Sequence, residues 1–269
     1  MLYVSNSFVP YNYPLKEAKA VFLGVPFSST SVSETSQYGP ILVREALRNK
    51  EGFAPLLKQD VLDKICDLGD VEVVPGSYEL TAERIRETID DIKAENPKAF
   101  LVFVGGEHSI SLAIAEALMP KTIVQLDAHR DLRSEFLGLK HSHVTWAYWA
   151  KKLLGCDIIQ VGTRSWCEEE EQNKQLVRSM SVDEIVKEAA RLEQPVHLSI
   201  DMDVFDPCYV KTGLPEPNGL KPDDVFKIID ALKPKSMDIV EIADRSLPSN
   251  TGFLAADLIK RALTGSKEL

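Results

Sequence analysis

The sequence predicts an α/β protein, a single three-layer αβα domain over residues 1–269 with a mostly parallel β-sheet. Short apolar runs rich in β-branched residues alternate strictly with longer segments whose apolar residues recur every three or four positions. The short runs are apolar on both faces, as expected for a parallel sheet that helices cover on each side. No low-complexity linker or repeat divides the chain, so right-handed strand-helix-strand crossovers account for the whole pattern.

Each strand is predicted from one short apolar run, beginning with AVFLGVP and ending with MDIVEI. In chain order these runs lie at 20–26, 64–69, 99–106, 122–128, 157–162, 196–203 and 237–242. Each helix is predicted from an amphipathic segment that follows such a run. These segments lie at 41–50, 80–95, 109–119, 144–154, 182–192, 222–232 and 252–263. The loops at 27–39 and 204–219 are long and rich in Ser, Pro and Gly, which in a compact domain is typical of functional loops.

Composition excludes several classes of protein. With 44% hydrophobic and 27% charged residues, the chain is too apolar for intrinsic disorder. Forty-one acidic against 31 basic residues give a net charge of −10, which provides no basic surface for nucleic acid. The four cysteines form no C-x-x-C pair and are expected to be reduced. No basic and apolar leader and no run of 18 apolar residues occurs, so a cytoplasmic protein without a membrane partner is expected.

Polar residues follow four of the predicted strands. In an open parallel sheet, ligands bind outside the carboxyl ends of the strands, so these residues are the candidate site. They comprise two imidazoles and five carboxylates, namely His108, Asp127, His129, Asp131, Asp201, Asp203 and Glu241. His197 lies early in its strand and is expected to be a hydrogen-bonded core residue.

The spacing of these residues favours two metal ions over one. In an extended strand, Asp127 and Asp131 would lie about 13 Å apart, so the chain must curl around its ligand beyond the strand end. A pair of ions about 3.5–4 Å apart suits that arrangement. Two His and four Asp without a cysteine favour Mn²⁺ over structural zinc, and two divalent ions would cancel the charge of four aspartates. D-x-H-x-D alone is a weak signal, and its coincidence with G-G-x-H-S strengthens it.

Three ordered segments resemble the signatures of the ureohydrolases, the arginase and agmatinase family. They are Gly105-Gly106-Glu107-His108-Ser109, Asp127-Ala128-His129-Arg130-Asp131 and the run from Ser199 to Pro207. GVPF at 24–27, GPILVREAL at 39–47, DLGDV at 67–71 and LPEPNGL at 214–220 also look like that family. The resemblance, which extends from about residue 20 to the end, implies an arginase-like fold and a dimanganese enzyme that hydrolyses a guanidinium to urea and an amine.

The resemblance also implies a role for each site residue. His108 and Asp131 would hold one Mn²⁺, His129 and Asp203 the other, and Asp127 and Asp201 would bridge both. Asp131 would pass the proton of the attacking water to the leaving amine, and Glu241 could bind the planar guanidinium. Ser142-His143 looks like the segment that carries the family's proton-shuttle histidine, although Val144 departs from the family pattern. His141 is the alternative shuttle.

Agmatine, a small cationic guanidino compound, is the expected substrate, which would place the enzyme in polyamine biosynthesis. Its ammonium suits an acidic protein whose site entrance could include Glu34 and the run from Glu168 to Glu171. Arg133, Lys140 or Arg164 would instead favour a substrate carboxylate if one of them turned inward. Alternatives are an arginase, a guanidino-acid hydrolase, a formimidoylglutamase or a catalytically silent binding relative, with a single-zinc deacetylase less favoured. The resemblance further implies a homo-oligomer.

Overall fold

An eight-stranded sheet runs through the centre of the computed structural model, which describes residues 13–31, 34–54 and 57–265. The strands are β1 (Ala20–Val25), β2 (Phe53–Ala54), β3 (Gln59–Asp60), β4 (Ile65–Asp70), β5 (Phe100–Gly105), β6 (Thr122–Leu126), β7 (Asp157–Val161), β8 (Arg178–Ser179), β9 (Val196–Asp201) and β10 (Ser236–Val240). The sheet order is β4-β1-β5-β10-β9-β6-β7-β8, and every pair in it is parallel. Strands β2 and β3 form a small separate antiparallel pair.

Eight α-helices surround the sheet in the described part of the chain. They are α1 (Gly39–Arg48), α2 (Tyr78–Glu95), α3 (Ile110–Leu118), α4 (Trp146–Leu154), α5 (Glu168–Asn173), α6 (Val182–Glu188), α7 (Pro222–Leu232) and α8 (Asn250–Thr264). One apolar cluster packs α1, α6, α7 and α8 on one face of the sheet, and a second packs α2, α3 and α4 on the other. The predicted three-layer α/β class and its parallel sheet are therefore confirmed. None of the described helices is long and apolar enough to cross a membrane.

Three strands end earlier than the sequence predicts. The runs expected to reach residues 128, 203 and 242 leave the sheet at Leu126, Asp201 and Val240. The apolar pattern continues past these points because the segments beyond them are also buried. At each of these three ends the chain turns out of the ladder to present polar side chains.

The elements that the sequence analysis missed are short. Strands β2, β3 and β8 have two residues each, too few for any periodicity. Helix α5 has no apolar stripe, and its first turn consists of four glutamates, which stabilise a helix N-terminus. The carboxylate of Glu170 also accepts the N–H of Cys167, which ties down the start of this helix. The acidic run from Glu168 to Glu171, which the sequence analysis offers as part of the site entrance, is thus the start of a helix with one buried member, Glu170.

Candidate functional site

A cavity of about 320 Å³ opens at the carboxyl ends of the central strands. Strands β5, β6, β9 and β10 stand next to or near one another in the sheet, so their ends deliver side chains to one place. Six of the seven residues expected there from the strand ends line the cavity, together with one loop histidine: His108, His129, Asp131, Asp201, Asp203 and Glu241, with His143. The seventh, Asp127, lies fully buried directly behind them.

His108 lies at the centre of the first group of potential metal ligands. Its Nδ1 is 3.1 Å from Asp127 Oδ2, 3.1 Å from Asp131 Oδ2 and 3.3 Å from Asp201 Oδ2. This buried nitrogen makes no hydrogen bond of acceptable geometry within the described protein. A nitrogen and three carboxylate oxygens that converge with no well-formed hydrogen bond between them form a donor set suited to a cation.

His129 forms a second group beside the first. Its Nδ1 is 2.8 Å from Asp203 Oδ2 and 3.7 Å from Asp127 Oδ1. Asp127 therefore directs one oxygen towards each histidine, and it belongs to both groups of side chains that could hold a metal ion. A carboxylate shared in this way can bridge two ions.

The local backbone explains how residues spaced by two positions converge. Asp131 has φ +53°, so the chain reverses after β6 instead of continuing as a strand. The carboxylates of Asp127 and Asp201 each accept the backbone N–H two residues further on, from His129 at 2.6 Å and from Asp203 at 2.8 Å. These turns are the curl that the D-x-H-x-D spacing demands.

Crowding of buried carboxylates shifts the pKa values of the cluster. Burial and the charge of Asp127 raise the pKa of Asp131 to about 7. Burial and the charges of Asp203 and Asp127 raise the pKa of Asp201 well above its ordinary range. Although burial alone would lower it, hydrogen bonds to Asp127 and Asp203 raise the pKa of His129 to about 12. The cluster thus gathers protons to offset its negative charge, and divalent cations would supply that positive charge instead.

Glu241 closes the site from the end of β10. It has φ +59°, and its Oε1 accepts the backbone N–H of His108 at 3.1 Å. Its Oε2 lies 3.4 Å from the hydroxyl of Ser31. Burial and the nearby charge of Glu107 raise the pKa of Glu241 to about 8. A carboxylate in such an acidic environment favours a cationic partner.

The two candidate shuttle histidines occupy different places. The ring of His143 lines the site cavity, where burial and the charges of His108 and His129 lower its pKa to about 4. His141 lies outside the site cavity, with its ring 4.7 Å from the ring of Tyr78 and its Nδ1 3.4 Å from a carboxylate oxygen of Glu79. Only His143 of the pair therefore offers a neutral imidazole to the site.

Sequence reasoning missed the support for His143. The buried Glu107 accepts hydrogen bonds from the backbone N–H and the hydroxyl of Thr30, both at 2.6 Å, and Thr30 Oγ1 accepts the backbone N–H of His143 at 3.1 Å. Gly106 allows this approach, since a Cβ there would lie 1.9 Å from the carbonyl oxygen of Phe27. These contacts join residues 77 or more positions apart, so no local pattern could reveal them.

Trp146 packs α4 onto the sheet and also contacts the candidate ligands. Its Nε1–H donates to Asp131 Oδ2 at 2.8 Å, and its ring lies 4.6 Å from the ring of His108. The indole is almost fully buried, so this hydrogen bond is shielded from water. Trp146 therefore fixes the direction of the Asp131 carboxylate.

The rest of the cavity wall and the segments beside it contain the residues that could contact a substrate tail. Arg164 donates to backbone carbonyls, among them Asp203 at 2.7 Å and Glu216 at 2.6 Å, and so does not turn inward. Lys140 lies 4.2 Å from the ring centre of Trp149, outside the cavity lining.

Arg133 is the cation that does line the cavity, where its Nε is 3.9 Å from the carboxylate of Glu170. The carboxylate of Glu216 also lines the cavity, 3.7 Å from His129 Nε2, and accepts no hydrogen bond from the described residues. Glu170 is the buried member of the expected acidic run, and the side chain of Glu34 lies outside the described residues. The tail region therefore holds one carboxylate that accepts no hydrogen bond from the described residues, Glu216, and one arginine, Arg133, each close to a group of opposite charge.

Comparison with known proteins agrees with this geometry. Residues 18–265 match the sequence model of the arginase family. An N(1)-aminopropylagmatine ureohydrolase from Thermococcus kodakarensis is 38% identical over 264 residues, 92% of this chain and 91% of the relative. An agmatinase from Pyrococcus horikoshii is 34% identical over 259 residues, 91% of each chain. The crystal structure of agmatine ureohydrolase of Thermoplasma volcanium is similar with a TM-score of 0.85 and 30% identity, over 99% of this chain and 94% of that chain.

Proposed function

Because this chain belongs to the arginase family, we propose that it cleaves agmatine to urea and putrescine with the help of two manganese ions. The chain is a hydrolase that acts on amidino C–N bonds, and its His and Asp groups fit metal binding. The observation that carries the proposal is the pair of ligand groups that share Asp127 at the floor of one cavity.

The proposed ligand sets follow the two groups. His108 and Asp131 would hold one ion, His129 and Asp203 the other, and Asp127 and Asp201 would bridge both. The ions, when bound, would supply Lewis acidity that lowers the pKa of water towards neutrality. A set of imidazoles and carboxylates without thiolate supports Mn²⁺ as the ion.

The chain's own residues would then orient the substrate and move protons. Glu241 would face the guanidinium, with its carboxylate held in place by the N–H of His108. Asp131, its direction fixed by Trp146, would pass a proton to the leaving amine. His143 would exchange protons between this cavity and solvent, because its ring is neutral near pH 7.

Agmatine suits the tail region better than arginine does. Its tail ends in an ammonium, for which the carboxylate of Glu216 is a partner at the cavity wall. Arginine adds a carboxylate, and the only arginine or lysine that lines the cavity within the described chain, Arg133, already lies close to Glu170. An unpaired carboxylate beside Glu216 should cost about 1–3 kcal/mol, or roughly 10- to 200-fold in kcat/KM.

A second candidate substrate is N(1)-aminopropylagmatine. The relative that bears this substrate in its name is 38% identical to the chain, against 34% for the agmatinase from Pyrococcus horikoshii. Such a substrate carries the same guanidinium on a longer cationic tail, so it would use the same metals, Glu241 and Glu216. The ratio of kcat/KM for N(1)-aminopropylagmatine to kcat/KM for agmatine distinguishes the two candidate substrates.

The metal proposal is tested by removal and return of the ions. Exhaustive chelation should abolish urea release, and Mn²⁺ should restore it better than Zn²⁺, with about two ions per chain by elemental analysis. Full activity in a preparation shown to be metal-free would contradict the proposal.

The substrate proposal is tested by urea release from agmatine, N(1)-aminopropylagmatine, arginine and guanidinobutyrate. Agmatine should have the highest kcat/KM. Glu216→Gln should lower kcat/KM for agmatine when the assay contains enough Mn²⁺ to keep both ions bound, since Glu216 also lies 3.7 Å from His129 Nε2. Glu135→Gln, an exposed carboxylate outside the cavity lining, is the matched control and should have no effect. A kcat/KM for arginine or guanidinobutyrate equal to that for agmatine would refute the substrate and leave the metal chemistry intact.

We also propose that residues 1–269 form one domain, that the protein is cytoplasmic and that it forms homo-oligomers. The family resemblance supports the oligomer, and composition supports the location. Light scattering on the purified protein tests the oligomer directly, since a monomeric mass would contradict it.

A further inference from the structure

A chain of five buried polar side chains runs from the candidate metal site through the interior, between the sheet and the helices on one face. Its members are at most 6% exposed, and in order they are His108, Ser199, Asp238, His197 and Ser236. Except for His108, these side chains have no part in the chemistry proposed above. Burial of a polar side chain costs free energy of folding unless the side chain is hydrogen-bonded, and these five side chains are bonded to one another in series.

The sequence builds this chain through alternation within two adjacent strands. In β9, VHLSID places His197, Ser199 and Asp201 on one face and apolar residues on the other. In β10, SMDIV does the same with Ser236 and Asp238. Residues His197 and Ser236 are partners in the ladder, as are Ser199 and Asp238, so the polar side chains lie side by side.

The contacts along the chain are short and continuous. His108 Nε2 is 2.9 Å from Ser199 Oγ, and the hydroxyl of Ser199 donates to Asp238 Oδ1 at 2.7 Å. The other oxygen of Asp238, Oδ2, is 2.7 Å from His197 Nε2. The second ring nitrogen of His197, Nδ1, is 2.8 Å from Ser236 Oγ.

The donor inventory of these groups fixes the direction of the hydrogen bonds. An ionised carboxylate only accepts, so the single hydroxyl proton of Ser199 goes to Asp238 Oδ1 at 2.7 Å and not to the hydroxyl oxygen of Ser111, which lies 3.4 Å away. Ser199 Oγ must then accept from His108, which requires the proton of the neutral imidazole to be on Nε2. The other nitrogen, Nδ1, faces the carboxylates of Asp127, Asp131 and Asp201, and in the neutral ring it would offer its lone pair to an ion bound among them.

We propose that Asp238 is a positioning residue for the metal site, which acts through Ser199 to fix the tautomer and the direction of the His108 ring. His197 holds the second oxygen of Asp238 and so keeps the carboxylate in the plane that Ser199 needs. Partners behind metal-ligating histidines commonly contribute 10- to 100-fold in metal affinity. The inference rests on the proposed metal site and adds the residues that prepare one of its ligands.

The selectivity of the effect distinguishes positioning from simple structural support. The five hydrogen-bonded side chains include His108 and do not contact His129. Asp238→Asn should therefore weaken the binding of the ion held by His108 and leave the binding of the other ion unchanged. A merely structural role would lower the stability of the metal-free protein and weaken both ions together.

The test measures Mn²⁺ binding, with free Mn²⁺ followed by electron paramagnetic resonance in the wild type, Asp238→Asn, Ser199→Ala and the double variant. One of the two ions should bind 10- to 100-fold more weakly in each variant. The double variant should lose no more than Ser199→Ala, because Asp238 has no route to His108 once the hydroxyl is gone. Thr122→Val removes another buried strand hydroxyl, which donates to Glu193 O at 2.8 Å, and should leave both ions unaffected.

The outcomes separate this inference from the metal proposal itself. A wild type that binds no Mn²⁺ would remove the metal site and the inference with it. A wild type with two ions, and variants that bind both as tightly or weaken both equally, would overturn only the role of Asp238. If Asp238→Asn does not fold, Ser199→Ala breaks the same link, and unchanged binding of the ion at His108 in that variant would equally overturn the proposal.

Discussion

Replacement of His143 by alanine should reduce turnover while both ions remain bound. The ring lines the cavity and its Nδ1 lies 3.4 Å from Thr30 Oγ1, but the shorter contact with Thr30 is the backbone N–H donated at 3.1 Å, which alanine retains. The variant should therefore keep its loop and lose only the imidazole. Proton transfer by a positioned group contributes a factor of about 100 to 10,000 to a reaction rate. The kcat for urea release should therefore fall by no more than that factor. Free imidazole added to the assay should restore part of it.

The same variant should change the dependence of stability on pH. The pKa of His143 is lowered to about 4 in the folded, metal-free protein from an ordinary value of 6.5, by burial and by the charges of His108 and His129. Between these pH values the unfolded chain binds the proton more tightly, so the ring's contribution to stability is lost as pH falls from 6.5 towards 4. The shift corresponds to about 3 kcal/mol. Urea unfolding of the metal-free protein should show this extra loss in the wild type and not in His143→Ala.

His141→Ala is the matched control for turnover. His141 packs against Tyr78 outside the site cavity, so its removal should leave kcat essentially unchanged. Normal turnover in His143→Ala combined with loss in His141→Ala would refute the choice of shuttle. An identical pH profile of stability in the wild type and His143→Ala would refute the reasoning about its pKa.

Three further substitutions test contacts that support the site. Trp146→Phe removes the N–H donated to the buried Asp131 and should cost about 1.5–3 kcal/mol in urea unfolding, with weaker Mn²⁺ binding by equilibrium dialysis. Arg164→Met leaves several loop carbonyls without a donor and should cost about 3 kcal/mol in the same unfolding assay while it raises KM for agmatine. Arg44→Lys loses the paired hydrogen bonds to Asp67, at 2.8 and 3.0 Å, and should lower the melting temperature with kcat unchanged.

The part of the site that sequence predicts is the part attached to the strands. Asp127 and Asp201 follow apolar runs directly, and parallel strands deliver their carboxyl ends to one edge of the sheet, so proximity follows from topology. The D-x-H-x-D spacing even predicts the curl that φ +53° at Asp131 provides. The sequence pattern predicts the ends of β6, β9 and β10 two residues beyond the observed ones, because burial continues through residues that have left the ladder.

The part that sequence could not predict depends on distant contacts. Glu107 holds Thr30 across 77 positions, and Glu216 approaches His129 from a loop that shows no periodicity. Asp238 is an intermediate case, because its position in a strand can be predicted from the sequence and its hydrogen-bond partner cannot. Its alternation with apolar residues in a fully buried strand was visible in the sequence, but a polar residue in such a strand indicates only that a partner exists, and not which one.

The division between strands and loops also explains how one metal site can serve different guanidino substrates. The ligands follow the sheet, which the packed helices on both faces hold rigid, whereas Glu216 and Arg133 belong to loops that can change without disturbing it. Arg164, however, donates hydrogen bonds to the backbone carbonyls of both Glu216 and Asp203, so the loop that carries Glu216 is held against the segment that carries Asp203. The position of Glu216, the proposed partner of the substrate tail, is therefore coupled to Asp203, a proposed metal ligand, and a substitution at Arg164 should change substrate selectivity before it weakens binding of the ions.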